Sequence, residues 1–181
     1  MRKFSAKQLV KFLRLVDAEL HRPCRIVLIG GGAVSLAYHG EHSTADLDLW
    51  SVSDQEFWDA VGRARARANV PVQKASIAEP PYDFEERLAK LDLEGLNRLE
   101  VLVPESHDLV LMKTARAEAH DLDAIEDIHR EVTLSLDTLI ERFHETKAQV
   151  TGSPGMFKVK FQAMIARLFG ENVAREIEDK L

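Results

Sequence analysis

The sequence predicts an α+β fold, in which helices flank a small mixed β-sheet and the C-terminal part is helical. Three observations support this prediction. Short apolar segments typical of strands alternate with segments of helical periodicity in the first part of the chain. From Glu105 onward only helical patterns occur. The length of 181 residues, with 45% hydrophobic and 30% charged residues, suits one globular domain with a small helical extension.

The first elements are a helix, a strand and a second helix. Ser5 and Gln8 have the spacing of a capping box, and apolar residues then repeat at helical intervals. Residues 25–29 form an apolar run that predicts a short buried strand, and the three glycines at 30–32 end it. The apolar segment 33–38 predicts the next helix.

The middle of the chain predicts two further strands around a third helix. Residues 45–51 alternate polar and apolar side chains, as a strand does, and Ser53 or Asp54 caps the helix that follows. The start of the proline-rich stretch 70–81 predicts a short edge strand. Residues 82–96 predict a weak helix or an irregular segment.

The third clear strand is residues 98–103, which Pro104 stops. Everything after it is helical, with breaks near 120 and 133 and a turn at 151–155. We therefore expect an α/β core over residues 1–130. A helical extension over 131–181 would pack on that core or at the interface of a homodimer, because its last long helix is strongly apolar.

Composition narrows the classes of function. The net charge of −6 argues against broad, non-specific binding of nucleic acid. Arg63, Arg65 and Arg67 form a basic stretch that is either a solvated helix face or a phosphate or RNA contact. Cys24 stands alone, so no disulfide framework exists within the chain. No apolar run reaches about 18 residues and no signal peptide is recognised, which predicts a cytoplasmic protein without a membrane partner.

Asp46 and Asp48 form the first candidate site. On a strand, residues i and i+2 share a face, with side chains about 7 Å apart. Two carboxylates held in this way repel each other unless a cation lies beside them, and their hard oxygens suit Mg²⁺. The alternative interpretation is a pair of surface aspartates on a solvent-facing strand edge.

Gly30, Gly31 and Gly32 form the second candidate site. A strand that ends in glycines and leads into a helix presents backbone N–H groups and a helix N-terminus at one point, where an anion such as phosphate binds. The alternative is an ordinary tight turn. Neither a Walker A loop nor the dinucleotide pattern fits, since the residues that they require are absent. A phosphate cradle next to a carboxylate pair predicts a nucleoside triphosphate site.

The spacing of these two sites resembles a known superfamily. Ile29, Gly30 and Gly31 are followed by fourteen residues and then by Asp46-Leu47-Asp48. This pattern is similar to that of the nucleotidyltransferases with a polymerase-β-type fold.

Within that superfamily the sequence looks most like the small bacterial proteins related to AbiEii toxins and the DUF6036-type nucleotidyltransferases. The glycines, Ala33 and Thr44 match their first motif. A later block is similar too, in six residues: Pro104, Asp108, Leu109, Lys113, Arg116 and Asp121. Two positions depart from the family pattern, because His42 stands where an Arg is usual and Ala124 stands where a second acid is usual.

The resemblance implies roles for the candidate residues. Asp46 and Asp48 would hold one or two Mg²⁺ ions, and Glu100 would be a third carboxylate that binds metal or accepts a proton, with Asp92 as a weaker alternative. The nucleoside triphosphate would be bound by six residues, namely Gly30, Gly31, Gly32, Thr44, Lys113 and Arg116. Asp121 would pair with Lys113 or Arg116, or cap the next helix.

The function that the resemblance implies is metal-dependent transfer of a nucleoside monophosphate to an acceptor hydroxyl. The acceptor would be RNA, such as tRNA, or a protein partner in a toxin–antitoxin or phage-defence setting. One alternative is a nucleotidyltransferase that modifies a small molecule such as an antibiotic. Another is a nucleotidyltransferase-like binding protein or antitoxin with little activity.

Overall fold

The computed structural model describes most of the chain. The described ranges are residues 2–38, 43–50, 52, 54–75, 79–150 and 152–181. Within these ranges, five strands form one mixed sheet and eight α-helices accompany it. The predicted α+β class is therefore confirmed.

The chain divides into two compact units. The first consists of Met1–Ser76 with Leu88–Pro104, and the second of Ile77–Arg87 with Glu105–Leu181. A compact unit is defined by its internal contacts, whereas a domain folds by itself. The predicted division into a core over 1–130 and an extension over 131–181 stays a prediction about domains.

The first unit contains the sheet. Its helices are α1 (Ala6–Glu19), α2 (Gly30–Ala37) and α3 (Gln55–Arg65). Its strands are β1 (Cys24–Ile29), β2 (Leu47–Leu49), β3 (Val72–Lys74), β4 (Ala89–Lys90) and β5 (Leu99–Val103).

Strand β1 is the centre of the sheet, whose order is β3-β2-β1-β5-β4. It pairs antiparallel with β2 and parallel with β5, while β3 runs parallel to β2 and β4 antiparallel to β5. The last residue of β1, Ile29, pairs with Asp48. Because α2 starts directly after Ile29, the beginning of this helix lies beside β2.

Helix α1 forms as its sequence pattern predicts. The backbone N–H of Ser5 donates to Oε1 of Gln8 at 2.9 Å, which is half of a capping box. The helix buries Leu9, Phe12 and Leu13 and packs against α2, α3 and β5. Its apolar face therefore supplies much of the core of the first unit.

Asp17 of α1 ties this helix to the sheet. It is 3% exposed, and its Oδ1 accepts the backbone N–H groups of Asn97, Arg98 and Leu99 at 2.9, 2.7 and 2.7 Å. A buried carboxylate needs such partners because it has lost its water. The three bonds hold the chain at the start of β5 against α1.

Two differences between the observed and the predicted elements concern the glycines and residues 82–96. Helix α2 begins at Gly30 and not at residue 33, so the glycines form its first turn. Residues 82–96 contain a 3₁₀ helix, Phe84–Arg87, followed by strand β4, which the sequence did not predict. Two residues are too few for a recognisable pattern, and β4 exists because β5 pairs with it.

The second unit is helical. It contains α4 (Ser106–Arg116), α5 (Ala119–Glu131), α6 (Leu136–Lys147), α7 (Pro154–Phe169) and α8 (Glu171–Glu176). Helices α4 and α5 are separate because Ala117 adopts a left-handed conformation with φ 52°.

The apolar face of α7 is buried within the second unit. Phe157, Phe161, Met164 and Ile165 are at most 3% exposed. The ring of Phe143 on α6 lies 5.1 Å from that of Phe157 and 4.5 Å from that of Phe161, measured between centroids. These side chains therefore have partners within the chain, and a homodimer stays a prediction.

We expect Asp17→Ala to lower the free energy of unfolding by about 3 kcal/mol, because three buried N–H groups lose their acceptor. Urea unfolding followed by circular dichroism measures the change. The control is Glu94→Ala, since Glu94 is 98% exposed in a surface ion pair with Arg14 and should change stability by less than about 0.5 kcal/mol. Equal effects of the two substitutions would contradict the structural role of Asp17.

Candidate functional site

The turn from β1 into α2 lies directly against β2. Gly30 has φ 66°, a left-handed conformation that residues with a Cβ rarely adopt. A Cβ at this position would also lie 2.8 Å from Oδ2 of Asp48. Gly30 is therefore required for its conformation and for the space that the Asp48 carboxylate occupies.

The next two glycines approach the same segment. A Cβ on Gly31 would lie 2.8 Å from Oγ1 of Thr44. One on Gly32 would lie 2.9 Å from a methyl group of Leu47 and 3.6 Å from the carbonyl oxygen of Asp46. The structure thus brings the glycine turn, Thr44 and the aspartates together, as the sequence spacing predicts.

Thr44 is anchored by a residue from the N-terminus. The backbone N–H of Phe4 donates to the Thr44 carbonyl at 2.7 Å, and the Thr44 N–H donates to the Phe4 carbonyl at 3.1 Å. Phe4 itself is 4% exposed. No local pattern predicts this bridge, because it joins two segments that are far apart in the chain.

Asp46 and Asp48 are half-buried at the edge of the glycine turn. Asp48 belongs to β2, whereas Asp46 lies just before the strand, which is shorter than predicted. The neighbouring Leu47 and Leu49 are fully buried, as the alternation predicts. Because these two leucines point into the core, the side chain of Asp48 between them lies on the opposite face of β2.

Gln73 of β3 joins the two aspartates, although its sequence context gives no sign that it belongs to a site. Its Nε2 donates to Oδ2 of Asp46 at 3.1 Å and to Oδ1 of Asp48 at 2.9 Å. The residue lies opposite Asp48 in the parallel pairing of β2 and β3. A pairing of strands so far apart in sequence has no local signal, although the predicted edge strand at the start of 70–81 is its first sign.

Glu100 is not brought to the aspartates. It accepts hydrogen bonds from Arg25 at 2.6 Å and Lys90 at 3.5 Å, and the bond from Arg25 lowers the pKa of the Glu100 carboxyl. In the strand register, Glu100 of β5 is opposite Arg25 of β1, and Asp48 of β2 is opposite Ile29 of β1. Arg25 and Ile29 are four residues apart, and β1 lies between β5 and β2. That offset is about 13 Å along the strand. The role of Glu100 as a ligand or base stays a prediction.

A cavity of about 390 Å³ opens beside Glu100 and not beside the aspartates. Asp92, the weaker candidate for a third carboxylate, also lines it. The charged groups at its wall include Arg25 and Lys90, and both of them bind Glu100. The cavity therefore has no described connection with the glycine turn.

In the second unit, Lys113 and Arg116 both bind Asp121. Nζ of Lys113 lies 3.0 Å from Oδ1 of Asp121, and Arg116 donates to the same carboxylate at 2.7 and 2.6 Å. The N–H of Glu118 donates to it as well, at 3.2 Å, so Asp121 also caps α5. Lys113 is 3% and Asp121 0% exposed. Binding of triphosphate by Lys113 and Arg116 stays a prediction.

Comparison with known proteins assigns the family. A family model described as "Nucleotidyltransferase of unknown function (DUF6036)" matches residues 6–168. The chain belongs to this family. No curated protein and no solved structure gives a significant match. The predicted membership is confirmed, and the matched range includes the glycine turn, the aspartates and the later block of this DUF6036 nucleotidyltransferase.

The residues around the glycine turn fit a bound Mg²⁺. They offer the two carboxylates of Asp46 and Asp48, and Oδ2 of Asp48 faces the glycine turn. Mg²⁺ commonly binds through one or two carboxylates together with waters and substrate phosphates. In the described ranges, no group of three or more His, Cys, Asp or Glu side chains is arranged to hold a metal.

A second buried aspartate organises the helical unit of the nucleotidyltransferase. Asp108, another residue of the later block, is 0% exposed and binds Arg87 at 2.8 and 3.1 Å and Arg142 at 2.5 Å. The bond to Asp108 raises the pKa of the Arg87 guanidinium. Asp108 therefore links α4 to α6 and to the 3₁₀ helix.

The basic stretch is paired within the first unit. Arg63 and Arg67 both bind the Glu19 carboxylate, and Arg65 donates to the carbonyl of Val72 at 3.0 Å. These contacts favour the interpretation as a helix face.

His42, where the family pattern has Arg, lies outside the described residues, as does Ser53. Asp54 caps α3 through the N–H of Glu56 at 3.0 Å.

None of the helices in the described ranges combines the length and the apolar character needed to cross a membrane.

We expect Gly30→Ala to lower the free energy of unfolding by about 2 kcal/mol, because alanine meets both an unfavourable φ and the Asp48 carboxylate. Gly62→Ala is the matched control. Gly62 lies exposed in α3 with nothing within 4 Å of an added Cβ, so alanine should stabilise the helix by up to about 1 kcal/mol. Chemical denaturation of both variants compares them, and equal stability of the two would refute the close approach.

We expect Asp121→Asn to lower the free energy of unfolding by about 3 kcal/mol at neutral pH, because it removes the buried carboxylate that both Lys113 and Arg116 bind. Burial raises the pKa of Asp121, but the bond from Arg116 and the charge of Lys113 outweigh it and lower the pKa to about 2. The stability that ionised Asp121 contributes is therefore complete above its ordinary pKa of 3.8 and disappears as the pH falls through about 2.

The difference in unfolding free energy between wild type and Asp121→Asn should accordingly shrink as the pH falls from about 4 to about 2. Urea titrations at a series of pH values measure it. Asp137→Asn, on the exposed side of α6, is the control and should change little at any pH. A difference that is independent of pH would show that the ion pairs do not hold Asp121 ionised.

Proposed function

We propose that this DUF6036 protein is a metal-dependent nucleotidyltransferase that moves a nucleoside monophosphate from a nucleoside triphosphate to an acceptor hydroxyl. The observation that supports the proposal is the contact of the glycine turn with the segment from Thr44 to Asp48. It puts a candidate phosphate cradle and a carboxylate pair within one small volume.

The triphosphate binds at the start of α2. The first N–H groups of an α-helix have no partner within the helix, and its dipole favours a negative charge there. The hydroxyl of Thr44, beside Gly31, is a further donor.

Asp46 and Asp48 hold the divalent cation. When bound, Mg²⁺ supplies charge neutralisation to the phosphate oxygens. The carboxylates cannot take this role toward phosphate by themselves, because like charges repel. Their place beside the glycine turn is therefore consistent with a cation shared between protein and triphosphate.

The transfer is an in-line displacement at the α-phosphorus. The acceptor oxygen forms the new bond to phosphorus, and the bond to the oxygen bridging to the β-phosphate breaks. Pyrophosphate leaves with that electron pair, and the hydroxyl proton passes to a base, for which the sequence predicts Glu100. Positioning and neutralisation of charge supply most of the acceleration.

The acceptor is RNA, such as tRNA, or a protein, and the setting is a bacterial toxin–antitoxin or phage-defence system acting in the cytoplasm. The net charge of −6 and the pairing of Arg63 and Arg67 with Glu19 favour a protein or a short RNA end over a long RNA surface. The same acidic charge favours, as a second candidate, a cationic small molecule such as an antibiotic.

A third candidate is a nucleotide-binding protein or antitoxin with little activity. The separation of Glu100 from Asp48 favours it, because no third carboxylate is then supplied by β5. Calorimetry with each of the four nucleoside triphosphates and Mg²⁺, set beside the transfer assay, separates binding from catalysis.

We expect Asp46→Asn and Asp48→Asn each to lower nucleotide transfer by about 100-fold or more, the effect typical of removing one charge-stabilising group at a reacting centre. The assay incubates the protein with total RNA, protein acceptors or aminoglycosides and each labelled nucleoside triphosphate. Asp137→Asn is the control for an exposed aspartate. Undiminished transfer by either site variant would reject the assignment.

Glu100→Gln extends the same assay. A loss of transfer comparable with that of the aspartate variants would establish Glu100 as ligand or base. Retention of activity would agree with its ion pairs to Arg25 and Lys90 and would remove it from the reaction.

A further inference from the structure

We propose that the side-chain amide of Gln73 competes with a cation for the oxygens of Asp46 and Asp48 that it binds. As a result, a free divalent cation binds the pair weakly, and the cation enters the site together with the triphosphate. The second half of this inference rests on the proposed function, whereas the first half concerns the protein alone.

The geometry shows one amide nitrogen serving both carboxylates. Nε2 of Gln73 lies 3.1 Å from Oδ2 of Asp46 and 2.9 Å from Oδ1 of Asp48. A glutamine amide has two N–H groups, so each aspartate receives its own hydrogen bond. The register of β2 and β3 puts Gln73 opposite Asp48 and so brings its side chain to the pair.

The electrostatic consequence follows from these bonds. Two neighbouring carboxylates repel each other, and this repulsion is what draws a cation into an acidic pair. The positive ends of the two N–H bonds offset part of it. A free cation that uses these two oxygens must also break two hydrogen bonds to charged groups, which are stronger than neutral ones.

A cation that arrives with a triphosphate can bind the other oxygen of Asp48. Oδ1 of Asp48 faces Gln73, but its Oδ2 faces the glycine turn, 2.8 Å from the position of a Gly30 Cβ. Phosphate oxygens bound at that turn would lie on the Oδ2 side. The cation then gains ligands from the phosphates and reaches Asp48 without displacing the amide.

The test is Mn²⁺ binding in the absence of nucleotide, measured by electron paramagnetic resonance of free Mn²⁺. Gln73→Leu keeps the approximate size of the side chain but removes both N–H donors, so we expect Mn²⁺ to bind about tenfold more tightly than to wild type. Gln73→Glu adds a third carboxylate and should bind Mn²⁺ more tightly still.

Gln55→Leu is the matched control. Gln55 donates its amide to Asp59 on α3 at 2.9 Å, so the same substitution breaks an amide–carboxylate bond away from the pair. Its Mn²⁺ affinity should equal that of wild type. Adding Asp48→Asn to Gln73→Leu should abolish the gain, which assigns the bound Mn²⁺ to the pair.

Unchanged or weaker Mn²⁺ binding by both folded Gln73 variants would overturn the inference. Circular dichroism checks their folding, and because Gln73 is exposed on an edge strand, we expect both to fold. The outcome is independent of catalysis. Tighter Mn²⁺ binding without transfer by wild type would support the role of Gln73 and reject the proposed function, and transfer without tighter binding would do the reverse.

Discussion

The close approach of the glycine turn to β2 is the constraint on which the candidate site depends. Each of the three glycines lies where a Cβ would meet an atom of Thr44, Leu47 or Asp48 within 2.9 Å. Close packing leaves no free space at such a point, so a larger residue would displace the strand or the helix. The glycine turn and the segment that carries the two aspartates are therefore one structural unit, and neither can be displaced without the other.

Carboxylates have two different environments in this protein. Asp17, Asp108 and Asp121 are buried and surrounded by N–H groups or cations, so they connect elements of the fold. Asp46 and Asp48 are half-buried at a strand edge and share the neutral amide of Gln73. Charged side chains or backbone N–H groups thus bind the first three aspartates to other elements of the fold, whereas a neutral side-chain amide joins the second pair at a strand edge.

Much of the fold and the first half of the site could be predicted because they depend on neighbours in sequence. The capping box of α1, the apolar run of β1 and the spacing from the glycines to the aspartates are local patterns, and the structure contains all of them. Gln73, Phe4 and β4 depend on which strands pair and in what register. The position of Glu100 depends on the same information, since β1 separates its strand from β2.

By itself, the sequence determined the α+β class, the family, and the assembly of a glycine turn and two aspartates around one strand–helix junction. These features follow from periodicity and from residues with a specific backbone or charge, which act over short separations. Only the tertiary structure decided that Gln73 bridges the aspartates and that Glu100 pairs with Arg25. It also decided among the alternatives that the sequence left open for Asp121, which binds both Lys113 and Arg116 and caps α5. Apart from this cap, each of these contacts is made by side chains on different elements, so it exists only once strand order and helix packing have been set.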